Sequence, residues 1–264
     1  MEKRKIEEKE YHDFIRDQKL KNNLKEFQYY TSNLKYHSIA RKTKLLLEKW
    51  LSYECQGKRF LDYCCGDGAV AVKIAKTGVD EIVGIDISGV SIENAKKLSL
   101  EEQVDKKTKF MVMDAENMEF EDNYFDIAYE HGALHHLNLE KAYSEIARVL
   151  KPNGKFLCVE ALGHNPIIQY YREKTPHLRT EYETKHILRK KEIYLAKKYF
   201  KKVEILGFFY LFSLLAVPFR NFRIFNVILT ILESIDEILL KLPILKWQAW
   251  QVVFVLSEPI KNSK

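Results

Sequence analysis

Long hydrophobic runs are missing from this 264-residue chain. The longest stretch without a charged side chain, Ile205–Phe219, has 15 residues, short of the roughly 20 that a membrane-spanning helix needs. The segment Met1–Lys25 is densely charged and holds no apolar core of the kind found in secretory leaders. Cysteine is scarce. Cys55, Cys64, Cys65 and Cys158 form no CxxC pair, two of them are adjacent, and neither they nor the 8 histidines fall at zinc-like spacings. Reduced thiols in a cytoplasmic protein are therefore expected, with no metal site. Repeats and low-complexity linkers are also lacking. What is present, 46% apolar and 12% aromatic residues, suits one large globular domain or two small ones.

The formal charge of +6 is unevenly spread. Residues 1–60 carry 15 Lys and Arg against 9 Asp and Glu, and residues 170–202 carry 11 against 4. Between them, residues 61–169 carry 11 against 19. A basic total of this kind can signal nucleic acid or membrane. The acidic middle argues against a continuous basic groove.

From about residue 60 to 160, short apolar runs alternate with helical patterns. Strands are expected at 59–63, 81–85, 109–113, 124–129 and 155–161, with helices at 69–76, 92–98 and 140–150 between them. Such alternation predicts βαβ units and a parallel sheet with helices on both faces. The first 58 residues read as helical, with Leu45, Leu46, Trp50 and Leu51 on one side of a helix over 39–53. Thr180-Glu181-Tyr182-Glu183 fits a capping box opening a helix that runs to Phe200. Two more strands, at 202–210 and 250–256, enclose a helical insert at 221–241.

The turn after the first strand reads Asp62-Tyr63-Cys64-Cys65-Gly66-Asp67-Gly68. Gly66 and Gly68 suit a tight loop that a ligand approaches closely. Gly66-Asp67-Gly68-Ala69-Val70-Ala71 also satisfies the G-x-G-x-x-A fingerprint of dinucleotide sites, with Asp86 placed 20 residues on. The carboxylates separate the two ligands. Asp62, Asp86 and Asp114 end three strands, where ligands of open parallel sheets bind, and Asp67 sits in the loop. Two aspartates beside a pyrophosphate would repel it. A cationic ligand with a ribose diol and an adenine amine, such as S-adenosylmethionine, suits an acidic crevice better.

Leu61-Asp62-Tyr63-Cys64-Cys65-Gly66-Asp67-Gly68 resembles the first motif of class I S-adenosylmethionine-dependent methyltransferases. So do Gly84-Ile85-Asp86-Ile87-Ser88, Asp114-Ala115-Glu116, Phe125-Asp126-Ile127 and Arg148-Val149-Leu150-Lys151-Pro152-Asn153-Gly154. The flavour is that of the small-molecule, ubiquinone-biosynthesis-like branch. The resemblance implies an α/β fold: a Rossmann-like, seven-stranded, mostly parallel sheet with helices on both faces. It divides the chain into an N-terminal helical cap (1–58) and a methyltransferase domain (59–264), the latter with a substrate-cap segment at 162–200 and an apolar helical insert at 213–246.

By the same resemblance, Asp62, Cys64 and Gly66 line the methionine end of S-adenosylmethionine, and Gly68 belongs to the same cofactor-binding loop. Asp86, followed by Ile87, accepts the ribose hydroxyls. Asp114 accepts the adenine amine with the Ala115 backbone beside the ring, and Glu130 and His131 lie near the sulfonium. Position 64 is usually glycine. A cysteine there is expected to adopt negative φ and narrow the loop slightly. Tyr11, His12, Phe14 and Tyr29 are expected to form the lid.

Candidate general bases for a hydroxyl or acidic-carbon acceptor are His131 and His135 after the fourth strand and His164 after the fifth. A loop histidine can equally serve only as a backbone hydrogen-bond partner. Tyr170, Arg172, His177 and Arg179 combine aromatic faces with cations that could hold a carboxylate or phosphate of the acceptor. A solvated basic helix start explains them equally well.

The insert has a polar stripe, Asn226, Thr230, Glu233, Glu237 and Lys241, beside apolar Phe225, Ile228, Leu229, Leu232, Ile235 and Leu239. Residues 208–246 could lie on a membrane surface as a peripheral contact, or pack on the sheet or on a second subunit of a homo-oligomer. Packing is the favoured expectation, because Glu233, Asp236 and Glu237 would meet anionic lipid poorly.

Methyl transfer to an O, N or C atom of a small-molecule or lipid-like acceptor is the leading expectation. Rivals are a nucleic-acid or protein methyltransferase, an NAD(P)-dependent oxidoreductase, and a cofactor-binding protein without turnover. Tyr129-Glu130-His131-Gly132 lacks the Asn/Asp-Pro-Pro-aromatic motif of nucleic-acid amino-methylating enzymes, which argues against nucleic acid as partner.

Overall fold

The computed structural model describes residues 2–17 and 21–261. Seven strands form one sheet: β1 (Arg59–Tyr63), β2 (Glu81–Asp86), β3 (Thr108–Val112), β4 (Phe125–His131), β5 (Leu150–Ala161), β6 (Phe200–Phe209) and β7 (Gln251–Pro259). Their order is β3-β2-β1-β4-β5-β7-β6. Strands β1 to β5 pair in parallel, and β7 runs antiparallel to both β5 and β6. The chain direction across the sheet reverses between β1 and β4, which opens a crevice at their carboxyl ends.

Helices α1 (Lys3–Arg16), α2 (Leu24–Tyr30) and α3 (Arg41–Glu54) precede the sheet. Helices α4 (Ala69–Ala75), α5 (Gly89–Glu101) and α6 (Leu139–Val149) connect its parallel strands. Ser88 caps α5 by accepting from Ser91 N, and Asn138 caps α6 by accepting from Lys141 N. Ala142, Tyr143, Ile146 and Ala147 of α6 lie on one helical face and join the core on one side of the sheet. On the other side, Leu47 and Leu51 of α3 pack with Ala71, Val72 and Ile74 of α4 and Ile92 and Ala95 of α5. Leu45, expected on the packed side of α3, is exposed instead.

After β5 come α7 (Pro166–Lys174), α8 (Glu181–His186) and α9 (Lys190–Leu195). The single helix expected over 181–200 is broken. Thr180 does cap its start, but Ile187 and Leu188 turn inward and are buried, and the Leu188 carbonyl accepts from Gly163 N. Burying two adjacent apolar side chains and tying their backbone to the β5 exit outweighs helix continuity.

The insert between β6 and β7 holds α10 (Phe225–Leu239). Leu229, Glu233 and Asp236 are its buried residues, and Ile228 and Leu232 pack with Leu229 against Ile39, Tyr210, Ala216 and Val217. The insert, expected on the sheet or on a second subunit, packs instead on Ile39, Tyr210, Ala216 and Val217 of the same chain. The expected polarity is corrected. Glu233 takes a bidentate contact from Arg41, and Asp236 accepts from the backbone N–H groups of Leu211, Phe212 and Ser213. These carboxylates face inward, while Val227, Ile231 and Ile238 are exposed by 63, 56 and 68%.

Candidate functional site

The site is built on the carboxyl ends of β1, β2, β3 and β4. Cys64, in the loop after β1, has φ +57°. The expectation of negative φ is overturned: the loop keeps the left-handed conformation that favours glycine, and the cysteine bears the strain. Gly66 and Gly68 follow at φ +51° and +73°. A Cβ on Gly68 would stand 2.7 Å from the Ala95 Cβ, so this glycine lets the loop seat against α5. Asp62 is 3% exposed and its Oδ2 accepts from Ala71 N at 3.0 Å. Burial pushes its pKa up to about 7. Its role is to anchor the loop to α4, not to line the cavity.

Asp86, at the end of β2, accepts from Gly66 N at 2.9 Å and from Ser88 N at 2.8 Å. Both carboxylate oxygens are thus fixed before any ligand arrives. At the end of β3, Asp114 Oδ1 accepts from Glu116 N at 2.9 Å. Tyr63 OH donates to the Ala115 carbonyl at 2.8 Å and ties the β3 loop to β1.

Helix α1 lies over these groups. Lys5 Nζ reaches Asp114 Oδ2 at 2.7 Å and Glu116 Oε2 at 2.9 Å, Arg4 pairs with Glu116, and Arg16 pairs with Asp67 at 3.2 Å. Asp13 Oδ1 accepts from Ser88 Oγ at 2.7 Å. A cavity of about 120 Å³ is lined by Cys64, Gly66, Asp86, Ile87, Asp114, Ala115 and His131 from the sheet edge, and by Arg4, Lys5, Glu8, His12 and Arg16 from α1. Of the four residues expected to form a lid, His12 alone lines this cavity; the rest of its α1 wall is charged, not aromatic.

Cations of α1 already pair with the carboxylates of this crevice, so its acidic groups accept positive charge. Asp86, Asp114 and the left-handed Cys64–Gly66 loop fit S-adenosylmethionine. The remaining volume is below the ~300 Å³ of ordinary ligand pockets, with Arg4, Lys5 and Arg16 of α1 forming part of its wall.

His131 ends β4, and its Nδ1 lies 3.2 Å from Tyr129 OH. The residue borders the cavity and is partly open to solvent. Desolvation, with repulsion from His37, pushes its pKa down to about 4, so it is a neutral base at neutral pH. His131 also borders a second cavity of about 820 Å³ between α3 and α4, where Leu47, Leu51, Val70, Ile74 and Tyr129 supply apolar walls.

The other predicted site residues lie elsewhere. Glu130 is fully buried and accepts from Ala133 N at 2.8 Å and Val159 N at 3.0 Å. Burial and the neighbouring Glu160 carboxylate hold its pKa well above the usual range. His135 is buried, with Nδ1 2.6 Å from Glu160 Oε2. His164 packs against Trp247 and Lys190, away from the cavity. Arg172 donates to the Leu162 carbonyl, and Arg179 to the carbonyls of Arg172 and Thr175. Both guanidiniums are buried and staple the α7–α8 connection, which leaves neither as the open anion clamp expected. His177 stacks on Tyr29 at 4.1 Å, and Tyr170 is exposed. Sequence reasoning missed Glu160, Lys5 and Arg16. A lone glutamate inside the apolar run Phe156–Ala161 was the available signal for Glu160; the cations of α1 had none.

The geometry defines an α/β domain with an acidic cavity at the switch point of its sheet. Residues 61–158 match the profile of a methyltransferase domain. A ubiquinone/menaquinone biosynthesis C-methyltransferase from Rickettsia prowazekii is 39% identical over 108 residues, which cover 38% of this chain and 43% of the relative. A sterol 24-C-methyltransferase from Schizosaccharomyces pombe is 37% identical over 123 residues, covering 45% of this chain and 31% of that one. The matches thus span less than half of these curated relatives. Among solved structures, phosphoethanolamine N-methyltransferase 2 from Haemonchus contortus superposes with TM-score 0.58 at 20% identity, over 83% of this chain and 53% of the other. A [4+2]-cyclase also shares the fold, at TM-score 0.53 and 20% identity over 84% of this chain and 82% of its own. Fold alone therefore does not fix the reaction. Residues 61–158 are thus similar to a methyltransferase domain, carried on a fold that solved methyltransferases share.

Proposed function

We propose that the protein transfers a methyl group from S-adenosylmethionine to a small-molecule or lipid-like acceptor. The observation that carries this reading is the position of His131, which borders both the acidic nucleoside cavity and the larger, apolar-walled cavity between α3 and α4. The cofactor supplies the electrophilic methyl of its sulfonium. Asp86 binds the ribose hydroxyls, Asp114 binds the adenine amine once Lys5 withdraws, and the Cys64–Gly66 loop holds the methionine end. The apolar walls orient the acceptor toward the methyl, the main source of acceleration in such transfers. Neutral His131 takes the proton of an acceptor hydroxyl or acidic carbon.

The sterol and quinone methyltransferases among its relatives favour an isoprenoid-type acceptor and a carbon atom as the site of methylation. The exposed apolar face of α10, bracketed by Arg220, Arg223, Lys241 and Lys246, supports a peripheral seat on an anionic membrane. Four free cysteines are compatible with a reducing, cytoplasmic location.

The test combines binding with turnover. S-adenosylhomocysteine, and not NAD, is expected to raise the melting temperature. Labelled methyl is expected to move to one member of a panel of prenylated quinols, sterols and prenyl diphosphates. His131→Ala is expected to lose about 100-fold or more in kcat while cofactor affinity stays within about threefold. Stabilisation by NAD alone would reassign the protein to the oxidoreductases.

A further inference from the structure

We propose that Glu8, His12 and His136 bind one dication of the zinc, cobalt or manganese class, which clasps helix α1 to the loop behind β4. One ligand atom from each residue lies within 4.8 Å of the other two. Glu8 Oε2 stands 2.9 Å from His136 Nδ1 and 3.7 Å from His12 Nε2. Metal–nitrogen bonds of about 2.0–2.1 Å in tetrahedral geometry put ligand atoms about 3.3 Å apart, and the two observed separations bracket that value. The rings of His12 and His136 lie 5.3 Å apart at 73°, so they approach from different directions instead of stacking.

The surroundings are those of a supported site. Glu8 is 5% exposed, and Thr180 Oγ1 donates to its Oε1, which leaves Oε2 turned toward the imidazoles. Ligating carboxylates are commonly held by such outer hydrogen bonds. Behind His136, His135 and Glu183 form a second group with it, again within 4.8 Å, and Glu160 anchors the His135 ring. Two imidazoles and a carboxylate suit zinc, cobalt or manganese better than magnesium or calcium. Glu8, His12 and His136 all line the nucleoside cavity, so the remaining coordination position opens into it.

Glu8 and His12 lie four residues apart on one face of α1, but His136 is 128 residues from Glu8. A spacing rule applied to the sequence therefore passes over the cluster. The inference is independent of the methyl-transfer reading, because it concerns what fastens α1 whatever the cavity holds.

The experiment uses the full chain freed of metal by chelator dialysis, titrated with cobalt(II) and zinc(II). The expected result is one equivalent of cobalt bound at about 10 µM or tighter, with the visible absorption of a four- or five-coordinate ion and slower tryptic cleavage within α1. His12→Gln and His136→Gln are each expected to weaken binding by about tenfold or more, while His186→Gln leaves it unchanged. X-ray absorption on the unaltered protein should count two imidazoles, a readout that stands even if a variant misfolds. No binding up to about 1 mM cobalt, equal affinity in both folded variants, or fewer than two imidazoles on the ion would overturn the proposal.

Discussion

Lys5 Nζ lies 2.7 Å from Asp114 Oδ2, so a cation of the protein's own N-terminal helix occupies the carboxylate assigned to the adenine amine. On the proposed function, cofactor binding exchanges one partner of Asp114 for another. Lys5→Met is expected to tighten S-adenosylhomocysteine binding by about three- to tenfold in calorimetry, on the order of 1 kcal/mol for one charged hydrogen bond given up beforehand. Unchanged or weaker binding would mean that Lys5 remains with Glu116 while the nucleoside is bound, and that no exchange is needed.

Asp86 is fixed by Gly66 N and Ser88 N before any ligand arrives. Removing it takes away the ribose acceptor and leaves two backbone donors without their partner. Asp86→Ala should weaken S-adenosylhomocysteine by about 10- to 100-fold, from ~1.5–3 kcal/mol for a charged hydrogen bond. Equilibrium dialysis against the labelled nucleoside measures this directly; a loss under threefold would remove Asp86 from the site.

Cys64 carries left-handed strain at φ +57°. Cys64→Gly is expected to stabilise the protein by about 0.5–1 kcal/mol, a rise of roughly 1–4 °C in Tm for a chain of this size. Cys64→Val, whose branched side chain tolerates that region worst, should move Tm the other way.

The depressed pKa of His131 gives a pH dependence with a defined sign. Its ordinary value is 6.5 and its folded value about 4, so the unfolded chain takes up the proton first as pH falls. The stability it contributes is complete above pH 6.5 and is lost as pH drops from there to about 4. Histidine NMR titration should find the ring neutral at pH 5.5, and the acid-side loss of stability should shrink in His131→Gln. A midpoint near 6.5 would remove this pH dependence.

The outer face of α10 makes a separable prediction. Replacing Val227, Ile231 and Ile238 with serine should reduce co-sedimentation with anionic vesicles several-fold without lowering Tm, because these side chains are exposed in the folded chain. If instead the unaltered protein is a dimer and the triple variant a monomer, with vesicle binding absent in both, the face is a subunit contact.

The sheet and most of the residues that line the cavity from its edge were legible because strand ends are marked locally. Apolar runs stop at Asp62, Asp86 and Asp114, and the loop after β1 carries its own glycines. Which carboxylates face the cavity was less so. Asp62 and Glu130 look like site residues in sequence, yet each is consumed by backbone N–H groups that only the packed loops supply. Arg172 and Arg179 were misread for a related reason. A cation in a polar stretch looks solvated until the carbonyls it staples are brought to it from several residues away. The orientation of α10 depended on Arg41, nearly 200 residues distant, and no periodicity records such a partner.

The inward carboxylates of α10 bear on the modularity of the chain. Asp236 receives three backbone N–H groups and the Ser213 hydroxyl where the chain leaves β6, and Glu233 receives Arg41 at the start of α3. Excising the insert would strand those donors beside the sheet. The segment that most resembles an appendage is thereby bound into one cooperative unit with the sheet, and the two should melt in a single transition.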